Sequence, residues 1–361
     1  MRCKIFIAAQ YTAVDGGKQG IETVTRIATS LKLLFVLGLV LVASPVSAQA
    51  DFRLGLPVAC ELGDSCWVVN LVDLDPGPAV KDYLCQAQTY DGHKGTDIAI
   101  RDLKAMQKGV RVVASAAGVV RGIRDGMADQ DFSVDGGKAV AGRECGNGVV
   151  IAHGDGWETQ YCHLRRGSVG VSKGSRVKKG QYLGLVGHSG KAAFPHVHLS
   201  VRHQNLVVDP FVGQKPAVAC GLADGHLWDH GLIDALSQPL TSIFNAGFAA
   251  VAPKTQAILE DHYQDKGFLR NAPALVLWAA IYNIQKGDRV VMRITDPDGG
   301  VLHAYENVID KTQARRILYS GKKRTTLYWP DGTYQGEIAI HRKSPGGVDQ
   351  VIEARREILM H

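Results

Sequence analysis

The sequence predicts an all-β dominated protein, an antiparallel β-sheet domain followed by a small β-sandwich, and three observations predict it. Short runs of β-branched and aliphatic residues recur from residue 92 to the end of the chain, broken by Gly, Asp and Pro. Strong turn sequences separate them: His153-Gly154-Asp155-Gly156, Asp296-Pro297-Asp298-Gly299-Gly300 and Pro330-Asp331-Gly332. The 361 residues, 45% hydrophobic and 21% charged, are globular material sufficient for two cores once any leader is removed.

Residues 1–50 read as a secretory leader. An apolar run at 33–43 follows Arg26 and Lys32 and precedes Ser44-Pro45-Val46-Ser47-Ala48-Gln49-Ala50, which has small residues where a signal peptidase cuts, after Ala48 or Ala50. The run is shorter than the roughly 20 residues of a membrane span, so no stable membrane insertion is expected after cleavage. A retained anchor is the alternative. The mature chain is accordingly expected to be periplasmic or secreted.

Residues 51–91 are rich in Asp, Pro, Gly and Cys with little periodicity, and read as a disulfide-fastened lead-in. Residues 92–220 form the first domain, with strands expected at 98–100, 110–114, 118–123, 149–152, 177–187 and 197–201. The polar stretch 125–143 reads as a long surface loop able to wall a cleft. Residues 221–273 read as a linker with short helices. From 274 to 361, strands expected at 275–282, 289–294, 325–329 and 336–340 suggest a sandwich of immunoglobulin-like spacing without that fold's cysteine pair.

Of the seven cysteines, Cys3 falls in the leader and leaves an even six, which in an exported chain indicates disulfides. Several connectivities are open to Cys60, Cys66, Cys85, Cys145, Cys162 and Cys220. The preferred set pairs Cys145 with Cys162 across the hairpin at 153–156, closes a local loop with Cys60–Cys66, and leaves Cys85–Cys220 to tie the flanks of the domain. Paired C-x-x-C spacing is lacking, which argues against cysteine as a zinc ligand.

Histidine and aspartate supply the chemistry. If 197–201 is a strand, His196 and His198 leave one face and can share a site. In Gly92-His93-Lys94-Gly95-Thr96-Asp97 the glycines disfavour a helix, so His93 and Asp97 belong to a loop entering a strand. Two His and one Asp form a donor set used by catalytic zinc, with a fourth position open to water. Two further histidines remain for proton transfer around it, and His163 lies between the two motifs in Tyr161-Cys162-His163-Leu164. Tyr161, two residues before His163, is expected on the same strand face and is a candidate substrate contact.

His93-x-x-x-Asp97, Tyr161-x-His163-Leu164 and Pro195-His196-x-His198, in this order, resemble the signature of the lysostaphin-type or LytM zinc endopeptidases, the M23 peptidases, over about residues 90–210. The resemblance implies a LytM-like β-fold, one Zn2+ per chain held by His93, Asp97 and His198, and catalytic roles for His163 and His196. It implies hydrolysis of peptide bonds in peptidoglycan cross-links or stem peptides, with peptidoglycan as the partner. The approach to the last motif, Lys191-Ala192-Ala193-Phe194, departs from the second glycine and small hydroxyl residues more usual in relatives, and this bears on substrate fit. Two alternatives stand beside this reading: a non-hydrolytic LytM-type regulator of another wall hydrolase, and a zinc peptidase of extracellular proteins. The formal net charge of +6 favours anionic surfaces. Lacking aromatic-interleaved basic clusters, the chain is not expected to bind nucleic acid.

Overall fold

The computed structural model describes residues 52–132, 140–214, 220–236, 240–263, 267–343 and 349–361. The leader expected at 1–50 lies outside the described residues, as does 133–139 of the long loop. The described chain is mostly antiparallel β, as expected.

The first region contains β1 (Cys66–Asn70), β2 (Thr96–Ile100), β3 (Arg111–Val113), β4 (Gly118–Arg124), β5 (Asn147–Gly154), β6 (Trp157–Leu164), β7 (Arg176–Val177), β8 (Tyr182–Leu185), β9 (His196–His203) and β10 (Leu206–Val207). The main sheet runs β1-β2-β9-β6-β5-β4-β7, with β10 on β9, while β3 and β8 form a separate ribbon. The hairpin between β5 and β6 turns at Asp155 and Gly156, both with positive φ (48° and 81°). An Asp-Gly pair meets that requirement of a tight hairpin turn at little steric cost. Asp102 caps the helix α1 (Leu103–Lys108), its Oδ1 accepting from Ala105 N.

Alternation along the central strands gives this sheet two different faces. Ile98, Ile100, Val197, Leu199 and Val201 point into one apolar core, together with Cys66 and Val68 of β1. Asp97, Ala99, His196 and His198 therefore occupy the opposite face. β1 lies within the stretch expected to be only a lead-in, and it is the edge strand of this sheet.

The second region contains β11 (Ser242–Ala249), β12 (Ala274–Ile284), β13 (Arg289–Thr295), β14 (Val301–Val308), β15 (Gln313–Lys323), β16 (Gly332–Lys343) and β17 (Asp349–Met360). Two sheets, β11-β12-β15 and β14-β13-β16-β17, enclose a core that includes Leu277, Ile281, Val290, Met292, Ile338 and Ile340. The first, second and fifth strands share one sheet and the third, sixth and seventh the other, as in immunoglobulin domains. The fourth strand departs from the constant-type plan by pairing with the third rather than the fifth. The stretch 221–273 holds the short helices α2 (Ile233–Leu236) and α3 (Thr255–Leu259), but also β11, which belongs to the sandwich. The strand expected at 325–329 is a loop: β15 ends at Lys323, and Trp329 is buried with its Nε1 donating to Ala272 O.

β12 explains how the regions meet. Leu275, Leu277, Ala279 and Ile281 face the sandwich core, while Val276, Trp278, Ala280 and Tyr282 face a second apolar cluster containing Trp67, Val69, Ala99 and Phe194. Burial on both faces accounts for its nearly unbroken apolar sequence. Since Ala99 lies on the face that carries Asp97 and His196, the sandwich covers part of that same face. Phe194, the departure noted in the approach to the last motif, packs its ring 5.8 Å from that of Tyr282 and beneath the Arg315 guanidinium. Tyr282 Oη donates to Ile100 O (3.0 Å), and Asn283 Nδ2 donates to Val68 O (2.8 Å).

Three disulfides hold the first region: Cys60–Cys66, Cys85–Cys220 and Cys145–Cys162, the set preferred from the sequence. None of the described helices is long and apolar enough to cross a membrane.

Candidate metal centre

Register brings the site together. Asp97 on β2 lies directly opposite His198 on β9, and His198 in turn faces Cys162 on β6. His93, on the loop entering β2, completes the group. His93 Nε2, Asp97 Oδ1 and His198 Nδ1 lie 2.8–3.2 Å from one another. His93 and Asp97 are buried, and His198 is slightly open to solvent.

The outer atoms of each residue are committed elsewhere. His93 Nδ1 donates to Leu71 O at 2.6 Å. Ser200 Oγ donates to Lys94 O at 2.6 Å and thereby accepts from His198 Nε2 at 3.0 Å. Asn70 Nδ2 donates to Asp97 Oδ2 at 2.8 Å. With both imidazoles neutral, these contacts leave His93 Nε2, His198 Nδ1 and Asp97 Oδ1 as lone-pair donors converging on one point. Such a convergence is repulsive until a cation occupies it. Two nitrogens and one oxygen suit zinc. Tetrahedral bonds of about 2.0–2.2 Å would separate the donors by about 3.3–3.6 Å, so a small outward movement admits the ion.

Electrostatics agree with the geometry. Burial works against the charged form of Asp97, but the adjacent imidazoles of His93, His196 and His198 outweigh it and hold the carboxyl well below its usual range. Burial likewise lowers His93, yet Asp97 and the Leu71 carbonyl raise it on balance. There is also no room for a side chain at Gly95, where a Cβ would stand 2.6 Å from the His198 ring.

His163 and His196 stand beside the group, their rings 4.6 Å apart at the centroids. His163 Nδ1 donates to Ser189 O and His196 Nδ1 to Phe194 O, each at 2.8 Å, which leaves both Nε2 atoms as acceptors. His196 Nε2 is 3.8 Å from Asp97 Oδ1. Burial is the main cause lowering both pKa values, with His163 pushed well below the ordinary range, so both rings are neutral near pH 7. His163 has φ +64°, a left-handed conformation uncommon for a side-chain-bearing residue. Its backbone N donates to Cys145 O, and its neighbour Cys162 is bonded to Cys145.

That backbone conformation corrects one expectation. Tyr161 and His163 would share a face in a regular strand, but the left-handed residue breaks the alternation and turns the His163 ring to the site side. Tyr161 is fully buried in the core, its hydroxyl accepting from Ser115 N at 2.7 Å, and it does not face the cleft. Conversely, Asn70 and Ser200 were not singled out by the sequence reading. Ser200 carries a signal, being two residues from His198 on one strand. Asn70 carries none, because its partner lies 27 residues away.

The fold and the site define a β-sheet protein with a two-histidine, one-aspartate candidate metal centre flanked by two neutral histidines. Residues 91–210, a third of the chain, match the model of Peptidase family M23, which supports an M23 domain over this segment. It is 38% identical over 89 residues to the cell division protein DipM of Caulobacter vibrioides, covering 24% of this chain and 14% of that protein. It is 35% identical over 88 residues to the peptidoglycan DD-endopeptidase ShyB of Vibrio cholerae, covering 24% and 20%. Among solved structures it is similar to the catalytic domain of a variant of the prophage-encoded M23 protein EnpA from Enterococcus faecalis. That likeness covers 44% of this chain and 95% of the other, at 22% identity and a TM-score of 0.30. The chain thus spans a fifth or less of the length of these two curated relatives. Asn70, Leu71 and the whole sandwich lie outside the family match.

Proposed function

We propose that the protein is a secreted zinc endopeptidase that hydrolyses peptide bonds in peptidoglycan cross-links or stem peptides. The observation that carries this reading is the convergence of three lone-pair donors beside two neutral histidines. His93, Asp97 and His198 would hold the ion, which when bound polarises the scissile carbonyl and lowers the pKa of water. The bare Nε2 of His163 or His196 accepts a proton from the attacking water, and the imidazolium so formed can stabilise the oxyanion or return the proton to the leaving amine. Backbone carbonyls at Ser189 and Phe194 fix the tautomer of both rings and aim them before substrate arrives. The named activity of ShyB supports peptidoglycan as substrate. The three disulfides support an oxidising compartment.

Elemental analysis of the mature protein, together with product release from purified sacculi, tests this. About one zinc per chain and release of peptide fragments is the expected result. A metal-replete protein that binds no zinc and releases nothing would sink it.

A further inference from the structure

β6 slips its alternation beside the metal centre. Val149 on β5 faces Tyr161 and Asn147 faces Leu164, so Gly148 alone stands opposite both Cys162 and His163. This two-against-one count is a β-bulge, a device that re-aims a side chain. Its effect is visible in burial. Tyr161 and Leu164, three residues apart, both enter the apolar core, which a strand of period two does not allow, and the His163 ring turns to the site instead. Where a bulge needs left-handed backbone, glycine usually supplies it, whereas here His163 takes φ +64°. A side-chain-bearing residue persists in that conformation only when its surroundings hold it there.

Cys145 holds it twice. Its sulfur is bonded to Cys162, the residue before the bulged histidine, and its carbonyl accepts from His163 N at 2.8 Å. Gly148 leaves the space for this clasp, since a Cβ there would stand 2.5 Å from Tyr161 O and 3.0 Å from Cys145 Sγ. With the ring so presented, Ser189 O accepts from its Nδ1 at 2.8 Å. Cys162 also pairs with His198 across β6 and β9. The other two disulfides, Cys60–Cys66 and Cys85–Cys220, involve no residue next in sequence to a histidine or aspartate of the site.

We propose that Cys145 and Cys162 are positioning residues for His163, their disulfide locking the bulge that carries the ring to the metal side. Without the bond, β6 is released to relax toward regular alternation, which turns residue 163 to the face that Tyr161 occupies. The assignment gives this disulfide a part in turnover as well as in stability. Its kinetic half rests on the endopeptidase reading, and its geometric half does not.

The test is Cys145→Ala with Cys162→Ala in the full chain. On a soluble dimer of cross-linked stem peptides, kcat is expected to fall about 10²-fold, the cost of misplacing a group by about 1 Å, with KM and zinc content unchanged. In a His163→Ala background the same two substitutions should change kcat by less than about twofold, because a disulfide acting through His163 has nothing left to position, whereas independent damage adds in full. A further readout needs no activity. In the metal-free wild type, the His163 Nδ1 proton, identified by its absence from His163→Ala, should give a slowly exchanging imidazole resonance that the disulfide variant loses. If that variant does not fold, Gly148→Ala takes its place, wedging the same bulge with every disulfide intact. Cys85→Ala with Cys220→Ala, opening a sequence separation of 135, is the control for stability alone and should lower the unfolding midpoint without altering kcat. Unchanged kcat in an active protein, full additivity with His163→Ala, or an unchanged ring resonance each overturns the positioning role and leaves the hydrolase standing. If the wild type cleaves nothing while the resonance depends on the disulfide, the positioning stands and the endopeptidase reading falls.

Discussion

The two regions bury polar residues in different ways. In the sandwich, Asp288 is buried but fully engaged: Arg342 grips it through Nε and Nη2 at 2.8 and 2.6 Å, and Gln285 N donates to it. In the first region, Asp97 is as deeply buried, yet its close neighbours are histidine nitrogens whose lone pairs face it. Among the described residues, Gln88, His188 and Asp209 of that region also carry buried side-chain atoms with no hydrogen-bond partner, as do Trp278 and Arg315 of the sandwich. A satisfied buried charge belongs to the architecture, whereas an under-satisfied cluster marks where something else is meant to bind.

The largest effect that can break this comparison comes from substituting the site itself. His198→Ala is expected to abolish both zinc binding and peptide release, whereas His163→Ala keeps the metal and slows turnover by about 10²–10⁴-fold. Metal analysis with kinetics on both variants checks this, and loss of zinc in the His163 variant would remove the distinction between ligand and catalyst. Asp288→Ala should do the reverse, leaving zinc stoichiometry intact while destabilising the fold by about 3 kcal/mol, because the partly buried Arg342 loses its counter-ion. Denaturant unfolding reads that loss.

Smaller effects sharpen the contrast. Asn70→Ala and Ser200→Ala remove the groups that orient Asp97 and His198, and each should weaken zinc affinity by about 10–100-fold. Competition with a chelator of known affinity measures it, and an unchanged affinity would mean that the ligands hold their geometry unaided. The last effect is a pH slope. Burial pushes the Asp209 carboxyl up to about 7, so the folded state holds a proton that the unfolded chain has released above about pH 4. Stability should therefore fall as pH rises between those values, by about 1.4 kcal/mol per unit from this group. Asp209→Asn should flatten that portion of the unfolding profile.

How much of this was legible in the sequence depended on the range of each interaction. His93, Asp97, His163, His196 and His198 stood out because spacing and order reveal candidate site residues carried on short motifs. The hairpin at 153–156, and with it the Cys145–Cys162 pair, was legible because its turn chemistry is local. β11, β14, β15 and β17 were missed for a physical reason. β14 and β17 are the outer strands of their sheet, rich in charge and largely exposed, so apolar content does not announce them. Tyr161 was misplaced because one left-handed residue reverses the rule of alternation, and nothing in the sequence around His163 signals it. Phe194 looked like a departure bearing only on substrate fit, although its ring helps seat the sandwich against the site-bearing sheet.

Asn283 has one more consequence, for solubility. β1 is the last strand of its sheet, and an open strand edge is a template for pairing with other chains. Here the Asn283 side chain occupies Val68 O on that edge, while Trp67 and Val69 are buried under the aromatic cluster of the sandwich. A shortened chain ending before β11 would keep every residue of the histidine cluster and yet expose a sticky apolar strand, so its failure in solution would first take the form of self-association.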